Sequence, residues 1–83
     1  METPKYPVRI EPDENGRYLA TCRDVPEALT DGASIEEAQA EMADALMVAL
    51  EGYRKAGWAA PVASKPEPGE TVVHAKDEAH GWK

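Results

Sequence analysis

Apolar and polar residues alternate along residues 5–11, a period of two that is typical of a strand with one buried face. Residues 17–22 repeat the alternation, and Asn15-Gly16 lies between the two segments. The inward positions are Tyr6, Val8 and Ile10 in the first segment and Tyr18, Ala20 and Cys22 in the second. Because an Asn-Gly pair readily adopts the positive φ angles of tight turns, the pattern predicts an antiparallel hairpin.

After Gly32 the apolar residues recur every three or four positions, which is the period of an amphipathic helix. The spacing predicts a helix from Ser34 to Ala56 that ends at Gly57. Ser34 and Glu37 form a capping box, in which the Ser34 hydroxyl accepts from the Glu37 amide while the Glu37 side chain reaches back. The expected core-facing positions are Ile35, Ala38, Met42, Ala45, Leu46, Ala49 and Tyr53.

Two shorter segments complete a predicted sheet. Residues 28–31 supply a brief third strand before the helix, and residues 70–75 form a fourth strand after a proline-containing loop. The order β-β-β-α-β predicts an α+β domain, in which one long helix covers an antiparallel sheet. Pro7 is expected to lie at an edge or at the start of its strand, since proline has no N–H to donate. Trp58, just past the helix, is expected to cap the edge of the core.

The net charge of the chain indicates which kinds of molecule it can bind. Sixteen Asp and Glu residues against nine Lys and Arg give a net charge of −7 in 83 residues. Since nucleic-acid binding needs clustered Lys and Arg to neutralise phosphates, we expect no direct nucleic acid binding and a basic protein partner instead. No apolar run approaches the roughly 20 residues of a membrane span. The N-terminus lacks a signal-peptide pattern, so a cytoplasmic protein is expected.

Three groups of residues, taken in their order and spacing, resemble the HicB antitoxin family. Tyr6-Pro7-Val8 leading to Asn15-Gly16 is similar to the opening of that family. The second group is Asp24-Val25-Pro26-Glu27-Ala28 with Thr30-Asp31-Gly32 and Ile35-Glu36-Glu37-Ala38, and the third is Pro66-Glu67-Pro68-Gly69-Glu70 before Val72-Val73. The resemblance covers about residues 5–75. Two positions depart from it: Cys22 stands where the family often has an aromatic residue, and Glu27 where many members carry glycine.

The resemblance implies a partial ribonuclease-H-like fold that has lost catalysis, in a HicB-like antitoxin domain over residues 1–75. It implies an antitoxin that binds and neutralises a small basic HicA-type toxin, which cleaves mRNA, by masking the toxin's active site and RNA-binding surface. Family members continue into a C-terminal DNA-binding domain. Here we expect a short polar tail over residues 76–83 and no such domain. The alternative is a fragment or shortened form of a transcriptional regulator whose DNA-binding domain is absent from this chain.

Catalytic chemistry finds little support in the sequence. Cys22 is alone, and His74 and His80 are too widely spaced from it for a recognised zinc motif. A ribonuclease-H-type centre gathers several carboxylates on the sheet around two metal ions, and the predicted first strand has no acid at its centre. We therefore predict that the chain is not an enzyme and holds no metal or cofactor.

The acidic residues are the candidates for toxin contact, and two interpretations of them stay open. They form either a solvated surface or a negative surface that faces the toxin's RNA-binding groove. The candidates are Glu37, Glu41, Asp44 and Glu51 on the helix, and Asp13, Glu14, Asp24 and Asp31 in the sheet and its loops. The apolar residues Met47, Val48 and Leu50 predict self-association, as a homodimer or a higher oligomer.

Overall fold

The structure, a computed structural model, describes residues 4–76 and has the predicted order of elements. The strands are β1 (Lys5–Pro12), β2 (Tyr18–Thr21), β3 (Leu29–Gly32) and β4 (Glu70–His74), and the helix between β3 and β4 is α1 (Ile35–Lys55). The strands form an antiparallel sheet in the order β3-β2-β1-β4. The predicted α+β architecture is therefore confirmed. The predicted tail from residue 77 onward, with His80, lies outside the described residues.

The first strand changes its partner along its length. Residues 9–12 pair with β2 and residues 5–9 pair with β4, so β1 has a neighbour on both sides only at Arg9. Pro7 lies opposite Val72 of β4, in the stretch that has no pairing with β2. The missing N–H of proline is thus placed where β1 has one unpaired side, as the sequence predicts.

The hydrophobic core lies between α1 and one face of the sheet. It consists of Tyr6, Val8, Ala20, Cys22, Val25, Ala28, Ala38, Met42, Leu46, Val73 and Ala75. The predicted helix stripe is confirmed at Ala38, Met42 and Leu46, which are fully buried. It is wrong at Ile35, which is 45% exposed. Ile35 is the first residue of α1, and the outermost strand β3 meets the helix one turn later, so the sheet does not cover it.

The start of α1 rests directly on the backbone of β3. A Cβ atom built on the buried Gly32 would lie 2.5 Å from the backbone nitrogen of Ala38, so the two elements approach as closely as they do because Gly32 has no side chain. The predicted capping box forms beside this contact. The Ser34 hydroxyl accepts from the Glu37 N–H at 3.1 Å, and the Glu37 carboxylate accepts from the Ala33 N–H at 2.5 Å.

Residues 57–69, which we call the strap, contain no helix or strand and connect α1 to β4. Side chains of β1 and of the link after β2 hold the strap in place. The Tyr6 hydroxyl donates to the carbonyl of Pro61 at 2.8 Å, and Arg23 Nη2 donates to the carbonyl of Lys65 at 2.8 Å. Strap residues also lie beside Pro7 on the sheet face away from the helix core, and Pro7 is buried there. The strap thereby brings the chain back beside β1, where β4 can pair with it.

We expect Gly32→Ala to destabilise the protein by about 1–3 kcal/mol, the usual cost of overpacking. The new methyl group would meet the backbone of Ala38, which cannot rotate away. Gly52→Ala is the matched control, because its Cβ would meet nothing within 4 Å. In the helix that change should stabilise by about 0.5–1 kcal/mol. Urea unfolding followed by circular dichroism measures both, and equal midpoints for the two variants would contradict the close contact.

Candidate partner-binding surface

Two of the predicted toxin-contact acids are engaged within the hairpin region. Asp13 Oδ1 accepts from the backbone N–H of Asn15 at 2.8 Å and from that of Arg17 at 2.9 Å. The Arg17 Nε atom donates to Asp31 Oδ2 at 2.9 Å. Glu14, by contrast, is exposed at the turn. Asp13 and Asp31 therefore have clear roles in shaping the turn and joining β3 to it, whereas Glu14 has its charge available to a partner.

Asp24 anchors the strap to the link between β2 and β3. The backbone N–H of Ser64 donates to Asp24 Oδ2 at 2.8 Å, and the Ser64 hydroxyl donates to Asp24 Oδ1 at 2.7 Å. Hydrogen bonds stabilise the ionised form of a carboxyl group, so the Ser64 N–H and then its hydroxyl lower the pKa of Asp24. Both oxygens of this predicted contact residue are occupied by the protein's own chain.

Glu70, which is not among the predicted contact acids, lies at the centre of a group of charged side chains. Its side chain is only 3% exposed, and its two oxygens accept from Arg23 Nε at 2.9 Å and Arg23 Nη2 at 3.0 Å. The Glu67 N–H also donates to Glu70 at 2.9 Å, and Arg9 Nη2 lies 3.8 Å from it. The paired Arg23 bonds and then the Glu67 N–H lower the pKa of Glu70 to about 2. We call Arg9, Arg23 and Glu70 the charge hub.

No local pattern in the sequence points to the charge hub. Arg9, Arg23 and Glu70 come from three separate segments, and they meet only because β4 pairs with β1 in the register that places Glu70 opposite Arg9. The one feature of the sequence that could have drawn attention to the charge hub is Glu70 itself, an acid at the first position of a predicted strand that follows a turn.

The helix acids differ in how far the fold uses them. Glu37 belongs to the helix cap. Glu51 Oε2 lies 3.8 Å from Arg54 Nη2, and Asp44 Oδ1 lies 3.8 Å from Lys76 Nζ. Long ion pairs contribute little to stability where the side chains are exposed. The Asp44 side chain is 50% exposed, whereas that of Glu51 is only 21% exposed. The Glu41 side chain is exposed and makes no hydrogen bond or ion pair with any residue in the range 4–76. Glu41 and Asp44 are therefore the helix acids that a partner can engage at least cost to the fold.

The three residues predicted to mediate self-association do not share one environment. Val48 is 57% exposed on the outer side of α1. Met47 is half-buried, and Leu50 is partly buried and packs against the core. An apolar contact on this helix face would therefore centre on Val48.

Trp58 does not cap the core as the sequence suggests. It is 63% exposed and packs edge to face against Tyr53, with ring centroids 5.6 Å apart and ring planes at 89°. The Tyr53 hydroxyl donates to Glu27 Oε1 at 2.8 Å, which raises the pKa of Tyr53. These three residues, which we call the aromatic cluster, join the end of α1 to the link before β3.

The thiol of Cys22 and the placement of metal-binding side chains bear on the candidate chemistry of residues 4–76. Cys22 is buried, and that burial raises the pKa of its thiol, so the nucleophilic thiolate is disfavoured. Across residues 4–76, no group of three or more His, Cys, Asp or Glu side chains is placed to hold a metal ion. No helix in that range is long and apolar enough to cross a membrane.

A family model described as "HicB_like antitoxin of bacterial toxin-antitoxin system" matches residues 5–75. The chain belongs to the HicB-like antitoxin family. The match begins at β1 and includes β4, so it covers both the sheet and the helix that packs on it. The resemblance noted from the sequence motifs is therefore confirmed.

Two curated relatives show how this HicB-like chain compares with longer proteins. It is 49% identical over 49 residues to Antitoxin HicB 1 of Photorhabdus laumondii subsp. laumondii, and 41% identical over 49 residues to Antitoxin HicB of Escherichia coli. Each alignment covers 59% of this chain, and they cover 32% and 36% of the two relatives. The matched part of the chain thus spans about a third of the length of these proteins.

A solved structure supports the fold of the HicB-like chain. The crystal structure of the N-terminal domain of Burkholderia pseudomallei antitoxin HicB matches with a TM-score of 0.65 at 16% sequence identity. The match covers 89% of this chain and 98% of that one. The sheet covered by a helix is therefore shared by the two proteins, although most of their residues differ.

The charge hub predicts a specific loss of stability in acid. Glu70 has a pKa of about 2 in the folded protein against an ordinary value of 4.5. Because folding favours its ionised form, the stability it supplies is fully present above about pH 4.5 and is lost as the pH falls towards 2. Glu70→Gln should be less stable at neutral pH and should lose less stability across this window than the unmodified protein.

Urea midpoints measured from pH 7 down to pH 2 test this expectation. Glu14→Gln is the matched control, because it also removes one carboxylate but from an exposed turn. Its acid profile should follow that of the unmodified protein. A Glu70→Gln variant that keeps both the neutral midpoint and the full acid dependence would show that the charge hub contributes nothing.

Proposed function

We propose that this chain is an antitoxin domain that binds and neutralises a cognate, basic HicA-type toxin that cleaves mRNA. The observation that carries the proposal is the family match over residues 5–75, nearly all of the described chain. Neutralisation occurs by covering the toxin's active site and RNA-binding surface, with no catalysis by the antitoxin. The complex forms in the cytoplasm, where mRNA is translated.

Charge supports this masking mechanism. A protein surface that binds RNA carries Lys and Arg to neutralise phosphates, and this chain has a net charge of −7. Opposite charges speed the encounter of two proteins and fix their relative orientation. Among the eight candidate acids, Glu14 on the hairpin and Glu41 with Asp44 on the helix are those the fold uses least. The hairpin tip and the helix face are therefore two separable candidate surfaces.

Charge reversal on the helix face should weaken toxin binding. We expect Glu41→Lys with Asp44→Lys to lower affinity roughly 10-fold or more at low salt, because charge complementarity becomes repulsion. Glu37 is left unchanged because it caps α1. The partner in this assay is a small basic HicA-type toxin, sought first in the reading frame next to this chain's gene, and isothermal titration calorimetry at two salt concentrations measures the affinity.

The matched control reverses two acids of the hairpin, Glu11→Lys with Glu14→Lys. Both double variants raise the net charge by the same amount, so a non-specific charge effect would weaken both equally. Weakening by the hairpin variant alone would move the contact from the helix to the sheet side. If the unmodified chain neither binds the neighbouring protein nor stops its cleavage of RNA, the proposed antitoxin function is wrong.

We also infer that the chain self-associates, with Val48 at the centre of the contact. Val48 is a large apolar residue on α1 that is 57% exposed. Sedimentation equilibrium should show a homodimer or a higher oligomer at high micromolar concentration, and Val48→Asp should shift it to monomer. A Val62→Asp variant, altered in the strap, serves as control. A monomer for the unmodified chain would remove self-association from the proposal.

A further inference from the structure

Trp58 is a large aromatic residue that lies exposed in the strap. It lies outside the core cluster and leaves 63% of its surface in water, although tryptophan is highly buried on average. Tryptophan is also among the residues that most often dominate the energy of protein–protein contacts. An exposed tryptophan is therefore a candidate contact residue for a partner.

The aromatic cluster is ordered before any partner arrives. The backbone N–H of Trp58 donates to the backbone carbonyl of Tyr53 at 2.8 Å, and the Trp58 ring packs edge to face on the Tyr53 ring. The Tyr53 hydroxyl in turn holds the carboxylate of Glu27 at 2.8 Å. A site whose side chains are already fixed loses little conformational entropy on binding, which favours affinity.

The chemistry of the cluster fits a cation that is also flat. The face of a tryptophan ring attracts cations more strongly than that of any other side chain. Tyr53 occupies Glu27 Oε1, and Glu27 Oε2 accepts no hydrogen bond from the described residues. A guanidinium group can stack on an aromatic ring and still direct N–H donors sideways to a carboxylate, whereas an ammonium group cannot stack.

We propose that the aromatic cluster of Trp58, Tyr53 and Glu27 binds an arginine side chain of the basic toxin. The inference rests on the proposed function, because it takes the toxin as the source of the arginine. The complementary charge of Glu27 in an acidic chain favours such a partner over a second copy of the chain. The arginine stacks on the Trp58 ring, and Glu27 accepts from its guanidinium group.

The test compares variants of the full chain in binding to the same HicA-type toxin that is used for the charge-reversal variants. Trp58→Ala should weaken binding roughly 10-fold or more, as expected for an anchoring aromatic residue. Glu27→Gln keeps an oxygen for the Tyr53 hydroxyl but removes the charge. It should weaken binding roughly 3- to 10-fold and flatten the dependence of affinity on salt. Both substitutions remove contacts to the same arginine. The double variant should therefore lose less affinity than the product of the two single fold-losses.

Val62→Ala is the control, since Val62 is 90% exposed in the same strap and lies outside the cluster. Urea midpoints check that each variant is folded. If the unmodified chain binds and both Trp58→Ala and Glu27→Gln bind as Val62→Ala does, the arginine site is wrong and the antitoxin function stands. If Trp58→Ala alters the sedimentation of the chain alone, the cluster mediates self-association and the inference fails. If the unmodified chain does not bind, both proposals fall.

Discussion

The carboxylate of Glu70 joins parts of the chain that are far apart in sequence. It receives Arg23 from the link after β2, lies near Arg9 of β1 and accepts from Glu67 of the strap. This contact matters because β4 has five residues and, among the described strands, pairs with β1 alone. Backbone pairing alone leaves so short a strand weakly held. The contacts of Glu70, the first residue of β4, therefore hold both the strand and the strap that leads to it.

A small core makes such contacts more important than they would be in a larger protein. Of the eleven buried core residues in the range 4–76, four are alanines, and Met42 and Leu46 are the largest fully buried side chains in that range. A domain of this size buries a smaller share of its surface than a larger one does. The close approach of α1 to Gly32 compensates in part, since it brings the helix down onto short side chains.

The sequence predicts what depends on neighbouring residues and misses what depends on register. The strands and α1 follow from periods of two and of three to four, and their observed bounds differ from the predicted ones by a residue or two. Ser34 and Gly57 mark the helix ends because capping is local. The meeting of Arg23 with Glu70, and that of Asp24 with Ser64, required knowing how β4 aligns with β1.

The candidate surface was less predictable than the fold for the same reason. A list of acids does not say which ones the protein already uses, and only the folded chain shows that Asp13, Asp24 and Asp31 are occupied while Glu41 is not. Trp58 was misplaced because a residue just past a helix can turn towards the core or away from it. In the structure its ring packs against Tyr53, five residues back, and not against the core.

The change of partner along β1 has a consequence for the order in which the chain is made. Residues 9–12 can pair with β2 as soon as the hairpin has left the ribosome, because their partners follow within 12 residues. Residues 5–8 must wait for β4, some sixty residues later, and until then they form an open strand edge. During synthesis the protein therefore passes through a stage in which the hairpin can exist while the sheet is still incomplete. Any partner that needs the whole sheet can bind only after residues 70–74 have emerged.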